Sequence, residues 1–236
     1  MRNSLRPVLA GLALALAAAP ATARAQAPDR PNIVFIFSDD HAAHALSAYR
    51  DHLEYGARLP DTPNLDRLAA DGMLFTHAFV TNSICAPSRA TVLTGQYGHL
   101  NGVMTNAGAV HPDHTTFPRL LRDAGYTTAL VGKWHLKTEP AGFDHHEILA
   151  GQGPYWNPVL ITGRDTVAHT GYTTDVITDR ALHWLDRRPR DDDRPFLLMV
   201  QYNAAHRYWD PGPGELGLYR DPPLPEPATF WDDGEG

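Results

Sequence analysis

Continuous apolar runs rich in β-branched residues alternate along the chain with segments whose apolar positions recur every three to four residues, the pattern of an α/β protein. Asn32 to Phe37 (NIVFIF) closes on Ser38-Asp39-Asp40. This predicts a strand buried on both faces of a parallel sheet, with two adjacent carboxylates at its carboxyl end. A helix follows, capped by Thr62, with Pro63 in its first turn, Leu65, Leu68 and Ala69 on one face, and Gly72 as its stop. Met73 to Val80 predicts another strand, and Pro87 to Leu93 a helix opening just after Cys85. Thr116 to Ala124 reads as a helix ended by Gly125, and Tyr126 to Val131 as a strand running into Gly132-Lys133-Trp134-His135. Thr173 or Thr174 caps a helix carrying Val176, Ile177, Ala181, Trp184 and Leu185 at helical spacing, and Phe196 to Val200 is a buried strand leading to His206. The expected fold is α/β, a mostly parallel sheet flanked by helices. Ligand sites in such sheets lie beyond the carboxyl ends of the strands, where Asp39, Asp40, Lys133, His135 and His206 all fall.

Composition narrows the class. A chain of 236 residues with 43% apolar and 20% charged residues suits one sizeable core and excludes a disordered or fibrous protein. The net charge of -7 and the lack of any basic run argue against nucleic acid as a partner. One cysteine excludes an internal disulfide framework. Arg2 and Arg6, the apolar stretch Val8 to Ala19, and Ala23-Arg24-Ala25 have the form of a secretory signal peptide, residues 1–25, cut before Gln26. That stretch falls short of the ~20 residues of a membrane-spanning helix, so the expectation is a periplasmic or secreted protein with a single domain over 26–236. From Pro211 on, Pro and Gly are dense and no closing element follows, which predicts a domain cut short.

Cys85-Ala86-Pro87-Ser88-Arg89 is the most informative stretch. It sets the thiol at the start of a helix, where unpaired N–H groups and the dipole favour an anion, with Arg89 one turn on. Two readings stay open on these grounds, an activated thiolate nucleophile and an inert structural cysteine. Asp39 and Asp40 read either as caps of the following turn or as metal ligands, for calcium if the site is oxygen-rich or for zinc if His41 and His44 join. His111, His114, His145 and His146, with Tyr155, Trp156, Tyr208 and Trp209, are candidates for lining a sugar pocket.

Cys85 to Arg89, followed by Ala90-Thr-Val-Leu-Thr-Gly95, resembles the signature of the type I, formylglycine-dependent sulfatases of the alkaline phosphatase superfamily. Pro31 to Asp40, Thr62-Pro-Asn-Leu-Asp66, Gly132-Lys-Trp-His-Leu136 and Tyr202 to Pro211 appear in that family's order, so the resemblance covers nearly the whole chain after the signal. Gly142-Phe-Asp144, Gly151-Gln-Gly-Pro-Tyr155, Asn157-Pro158 and Pro225 to Thr229 are most similar to bacterial members acting on N-acetylglucosamine-6-sulfate, mucin or heparan-type glycans.

The resemblance implies a sulfuric ester hydrolase acting on a sulfated sugar. Its nucleophile would be formylglycine, made from Cys85 by a formylglycine-generating or anaerobic sulfatase-maturating enzyme. It also implies Asp39, Asp40 and residue 85 as ligands of calcium or magnesium, and Arg89 as holding the hydrated aldehyde. Lys133 would be a sulfate ligand, His135 the group that orients or deprotonates the diol, and His206 a sulfate ligand and proton donor. The family continues into an Asp-Asn pair that completes the metal site and a further lysine, absent from this chain, and often has Pro where this chain has Ala205. The competing expectations are a phosphate or phosphonate monoester hydrolase of the same superfamily, and an inactive truncated protein that binds anionic glycans.

Overall fold

The computed structural model describes residues 30–53, 60–189, 192–220 and 230–232; the expected signal peptide lies outside them. From Asn32 on, the chain forms one compact unit. Six strands make one sheet: β1 (Ile33–Phe37), β2 (Thr127–Gly132), β3 (His145–Leu149), β4 (Val159–Thr162), β5 (Asp165–Ala168) and β6 (Phe196–Gln201). Their spatial order is β1-β6-β2-β3-β4-β5. The pairs β1–β6, β6–β2 and β2–β3 are parallel, and β3–β4 and β4–β5 are antiparallel, so the sheet is mixed, with its parallel part on the side of β1.

The two central strands, β2 and β6, are apolar on both faces because helices cover both. Leu130, Leu197 and Met199 pack with Ala86, Ala90 and Leu93 of α2 (Cys85–Thr94), joined by Phe117 and Leu121 of α4 (Phe117–Asp123). Ala129, Val131, Leu198 and Val200 point the other way, onto Val176, Ile177 and Ala181 of α5 (Thr173–Asp186). This is the period-two alternation of a strand serving two cores. The remaining helices, α1 (Pro63–Asp71) and α3 (Gly98–Asn101), lie outside both clusters.

Several expectations are corrected. β1 is an edge strand, and its outward Val34 and Ile36 are 52% and 63% exposed rather than buried. Met73 to Val80 forms no strand; no described strand lies beside it to accept its backbone hydrogen bonds, and Phe79 is 92% exposed. The sheet is mostly parallel as expected, and its antiparallel part is the run through β4 and β5, whose hairpin turns at Gly163-Arg164. Helix α2 starts at Cys85 itself, two residues before the expected Pro87. Thr62 and Thr173 do not cap their helices. The Thr62 hydroxyl accepts from the Ser47 amide at 3.0 Å and meets Asp66, and the Thr173 hydroxyl donates to the Pro154 carbonyl at 2.6 Å.

Candidate active site

Phe37, Gln201 and Gly132 stand side by side in register on β1, β6 and β2, so the three parallel strands end at one level. Beyond that level come Asp39 and Asp40 from β1, Lys133 and His135 from β2, and His206 from β6. Helix α2 brings Cys85 to the same rim of an open cleft of about 460 Å³ lined by Ser38, Asp39, Asp40, His41, Cys85 and Arg89. The turns are held by backbone bonds. The Asp39 amide donates to the Ala204 carbonyl at 3.0 Å and the Lys133 amide to the Gln201 carbonyl at 2.6 Å. Gly132 lies against β6 so closely that a Cβ there would sit 1.9 Å from the Gln201 carbonyl oxygen, and its φ of +109° suits glycine alone.

Asp39 is the electrostatic centre. The Arg89 guanidinium donates to its Oδ2 at 2.9 Å and Lys133 Nζ meets the same oxygen, all three side chains being buried. Burial on its own would raise the Asp39 carboxyl, but Lys133 and Arg89 outweigh it and hold the group below the usual carboxylate range. Arg89 also donates to the Lys133 carbonyl at 2.7 Å and to the Gln201 side-chain oxygen. Two buried cations on one carboxylate leave a net positive charge at the cleft floor, balanced at the rim by exposed Asp40.

Cys85 Sγ lies 3.5 Å from Asp39 Oδ1, and Asp39, Asp40 and Cys85 offer ligand atoms within 4.8 Å of one another. Burial raises the Cys85 thiol, and Lys133 offsets this only in part because Asp39 and Asp40 push the same way as burial. The adjacent carboxylates thus oppose what the helix N-terminus offers an anion at position 85. The donor set fits a hard divalent cation once residue 85 carries oxygen, and His41 and His44 are not part of it; His41 Nδ1 is 3.1 Å from the Ser38 hydroxyl.

The two histidines differ. Burial, then Lys133 and Arg89, lower His135, so its imidazole is neutral near pH 7, with Nδ1 buried and without a hydrogen-bond partner among the described residues. His206 Nδ1 is 2.7 Å from the Arg207 carbonyl, to which it donates, leaving Nε2 to face Asp40 Oδ2 at 3.7 Å.

The sugar-pocket candidates scatter. His145 pairs with Glu147, and His146 accepts from the Gly163 amide. His111 and His114 line a separate small crevice with Trp134 and Thr138. Tyr155 is buried against Tyr172, whereas Tyr208 and Trp209 stand exposed beyond His206. Sequence reasoning assigned no role to Gln201, the acceptor under Arg89, or to Asn106, whose side-chain oxygen accepts from the Ala86 amide at 3.0 Å in place of a local cap. The polar ending of an otherwise apolar strand was the available signal for Gln201. Nothing local marks Asn106.

The sulfatase family model matches residues 31–229. An N-acetylglucosamine-6-O-sulfatase of Bacteroides thetaiotaomicron is 43% identical over 231 residues, 97% of this chain and 39% of that protein. A canine N-acetylgalactosamine-6-sulfatase is 39% identical over 220 residues, 77% of this chain and 41% of that protein. A solved complex of a protein with its substrate D-glucosamine-2-N,6-O-disulfate superposes with a TM-score of 0.81 at 44% identity, covering 88% of this chain and 41% of that one. The chain thus spans about two fifths of the length of these relatives. With the family model over most of the chain and three parallel strands delivering its motifs to one rim, the chain belongs to the sulfatase family.

Proposed function

We propose that this protein hydrolyses the 6-O-sulfate of N-acetylglucosamine or glucosamine units, with residue 85 as formylglycine. The observation that carries the reading is Cys85 held at 3.5 Å from Asp39, above two buried cations and in one cleft with Asp40. The sugar follows from likeness to the bacterial relative and to the substrate-bound structure. Conversion of Cys85 replaces a thiol that the site keeps protonated by a hydrated aldehyde bearing two hydroxyls. A divalent cation on Asp39, Asp40 and residue 85, calcium rather than zinc for this oxygen set, would make such a hydroxyl more acidic.

The chain's own groups divide the remaining work. Lys133 and Arg89 fix Asp39 and supply positive potential for the sulfate oxygens. One hydroxyl of residue 85, its proton lost to water, would attack sulfur while the bond from sulfur to the sugar oxygen breaks. His206, whose Nε2 faces the cleft beside Asp40, would give that oxygen its proton. His135, neutral at working pH, takes a proton from the second hydroxyl; the carbonyl re-forms, the bond from residue 85 to sulfate breaks, and sulfate leaves. A signal peptide over residues 1–25 would deliver the protein to the periplasm or beyond, where sulfated glycans are met, and a maturating enzyme is its obligatory partner before then.

The test is the mass of the peptide containing residue 85 in protein from a host with a maturating enzyme, followed by assays on N-acetylglucosamine 6-sulfate and 6-phosphate. A peptide lighter by about 18 Da than the cysteine form, and release of sulfate but not phosphate, are expected. An unmodified thiol would sink the formylglycine reading, and preferential phosphate release would move the protein to phosphomonoester chemistry.

A further inference from the structure

We infer that Tyr155 is a positioning residue that holds His206 in register with the cleft, acting through the backbone rather than on the sugar. The inference rests on the reading of His206 as proton donor to the leaving oxygen. The loop between β3 and β4 is pinned first: the Thr173 hydroxyl donates to the Pro154 carbonyl at 2.6 Å, and the Thr173 amide to the Tyr155 carbonyl at 2.8 Å. From this fixed base the Tyr155 hydroxyl donates to the backbone carbonyl of His206, 51 residues away. Asn203, buried just before it, donates from Nδ2 to the Pro154 carbonyl at 3.2 Å. The ring of Tyr155 stacks on Tyr172, and the Tyr172 hydroxyl donates to the Asp210 carbonyl at 3.0 Å. Two stacked tyrosines therefore hold the His206 segment at residues 206 and 210.

The segment needs such a clasp. Between the ends of that hold, Arg207, Tyr208 and Trp209 are exposed. The Nδ1 bond of His206 runs to Arg207, its own chain neighbour, and so sets the ring against a piece of backbone that is itself anchored by the Tyr155 hydroxyl. A 1 Å drift there moves Nε2 away from the leaving oxygen. Burial, then Tyr172, Asp210 and the two cleft aspartates, raise the Tyr155 phenol to about 12, so it stays a donor across the working pH range. Because the ring is 7% exposed and covered by Tyr172, it has no open face on which a sugar could stack.

The experiment compares the matured protein with Tyr155→Phe, His206→Ala and the double variant on two esters. The sugar of N-acetylglucosamine 6-sulfate leaves through an alkoxide oxygen that needs a proton, whereas nitrophenyl sulfate releases a stable nitrophenolate that needs none. Tyr155→Phe is expected to lower kcat on the sugar ester about 10-fold, a fraction of what a general acid supplies, with a several-fold smaller loss on the aryl ester and none beyond that of His206→Ala in the double variant. Equal losses on both esters, or losses that multiply in the double variant, would overturn the inference. A second readout is independent of turnover: in protein labelled at histidine, the His206 ring signal should move in Tyr155→Phe while that of His183, on α5, stays in place. An unmoved His206 signal overturns the clasp whether or not either ester reacts. A moved signal without turnover of either ester by the unsubstituted protein would keep the clasp and remove the sulfatase reading on which His206's role depends.

Discussion

Asp39 shows how much one side chain carries at this site. It ties Lys133 and Arg89 to the cleft floor and keeps its other oxygen toward residue 85. Asp39→Asn would leave two buried cations facing a neutral amide, and removing one partner of a buried ion pair is expected to cost about 3 kcal/mol. On the proposed reading the same change removes a calcium ligand, so calcium is expected to raise the melting temperature of the unsubstituted protein and leave the variant unmoved; thermal scans with and without the ion check both. Asp39, Asp40, Lys133, His135 and His206 were legible because each directly follows an apolar run that could only be a strand. The electrostatic surroundings of the Cys85 thiol were not legible, because a local helix start favours an anion while the carboxylates that oppose it arrive from 46 residues away.

Two elements hold the sheet in the shape that the site requires. The contact of β2 with β6 at Gly132 has no room for a methyl group, so Gly132→Ala should destabilise the fold by about 3 kcal/mol or more, read by denaturant unfolding. On the far side of the sheet, Glu147 of β3 accepts from Arg180 of α5 at 2.6 Å and from His145 at 3.0 Å. Burial pushes the Glu147 carboxyl up, but these bonds outweigh it and bring the group to about 2, below the ordinary 4.5. A lowered carboxyl adds stability that is fully present above 4.5 and disappears as the pH falls toward 2. Glu147→Gln should therefore lower stability near neutrality by about 2 kcal/mol, moderated by the partial exposure of Arg180, and flatten the acid limb of a melting-temperature profile. The antiparallel run from β3 through β4 to β5 escaped the sequence. β3 and β5 are half-polar and the apolar run of β4 is three residues long, Val159 to Ile161, so only the turn at Gly163 marks them.

For the molecule as a whole, β1 and β5 are the two edges of the sheet, and β1 is the apolar one. With Val34 and Ile36 exposed, it offers apolar surface and, among the described residues, a backbone edge without a partner strand. The isolated 236-residue chain is expected to self-associate in sedimentation velocity, and replacing both residues with Thr should return it toward a monomer while β1 keeps its inward Phe35. Unchanged association in that variant would locate the sticky surface elsewhere.

The strand order also bears on the sequence of events. β6, the last of the described strands, sits between β1 and β2, which do not pair with each other. A ribosome making this protein has therefore delivered Asp39, Cys85, Lys133 and His135 well before the piece that joins them exists. Among the described strands, β1 pairs with β6 alone, so Asp39 after β1 and Lys133 after β2 are brought together only once residues 196–201 have emerged.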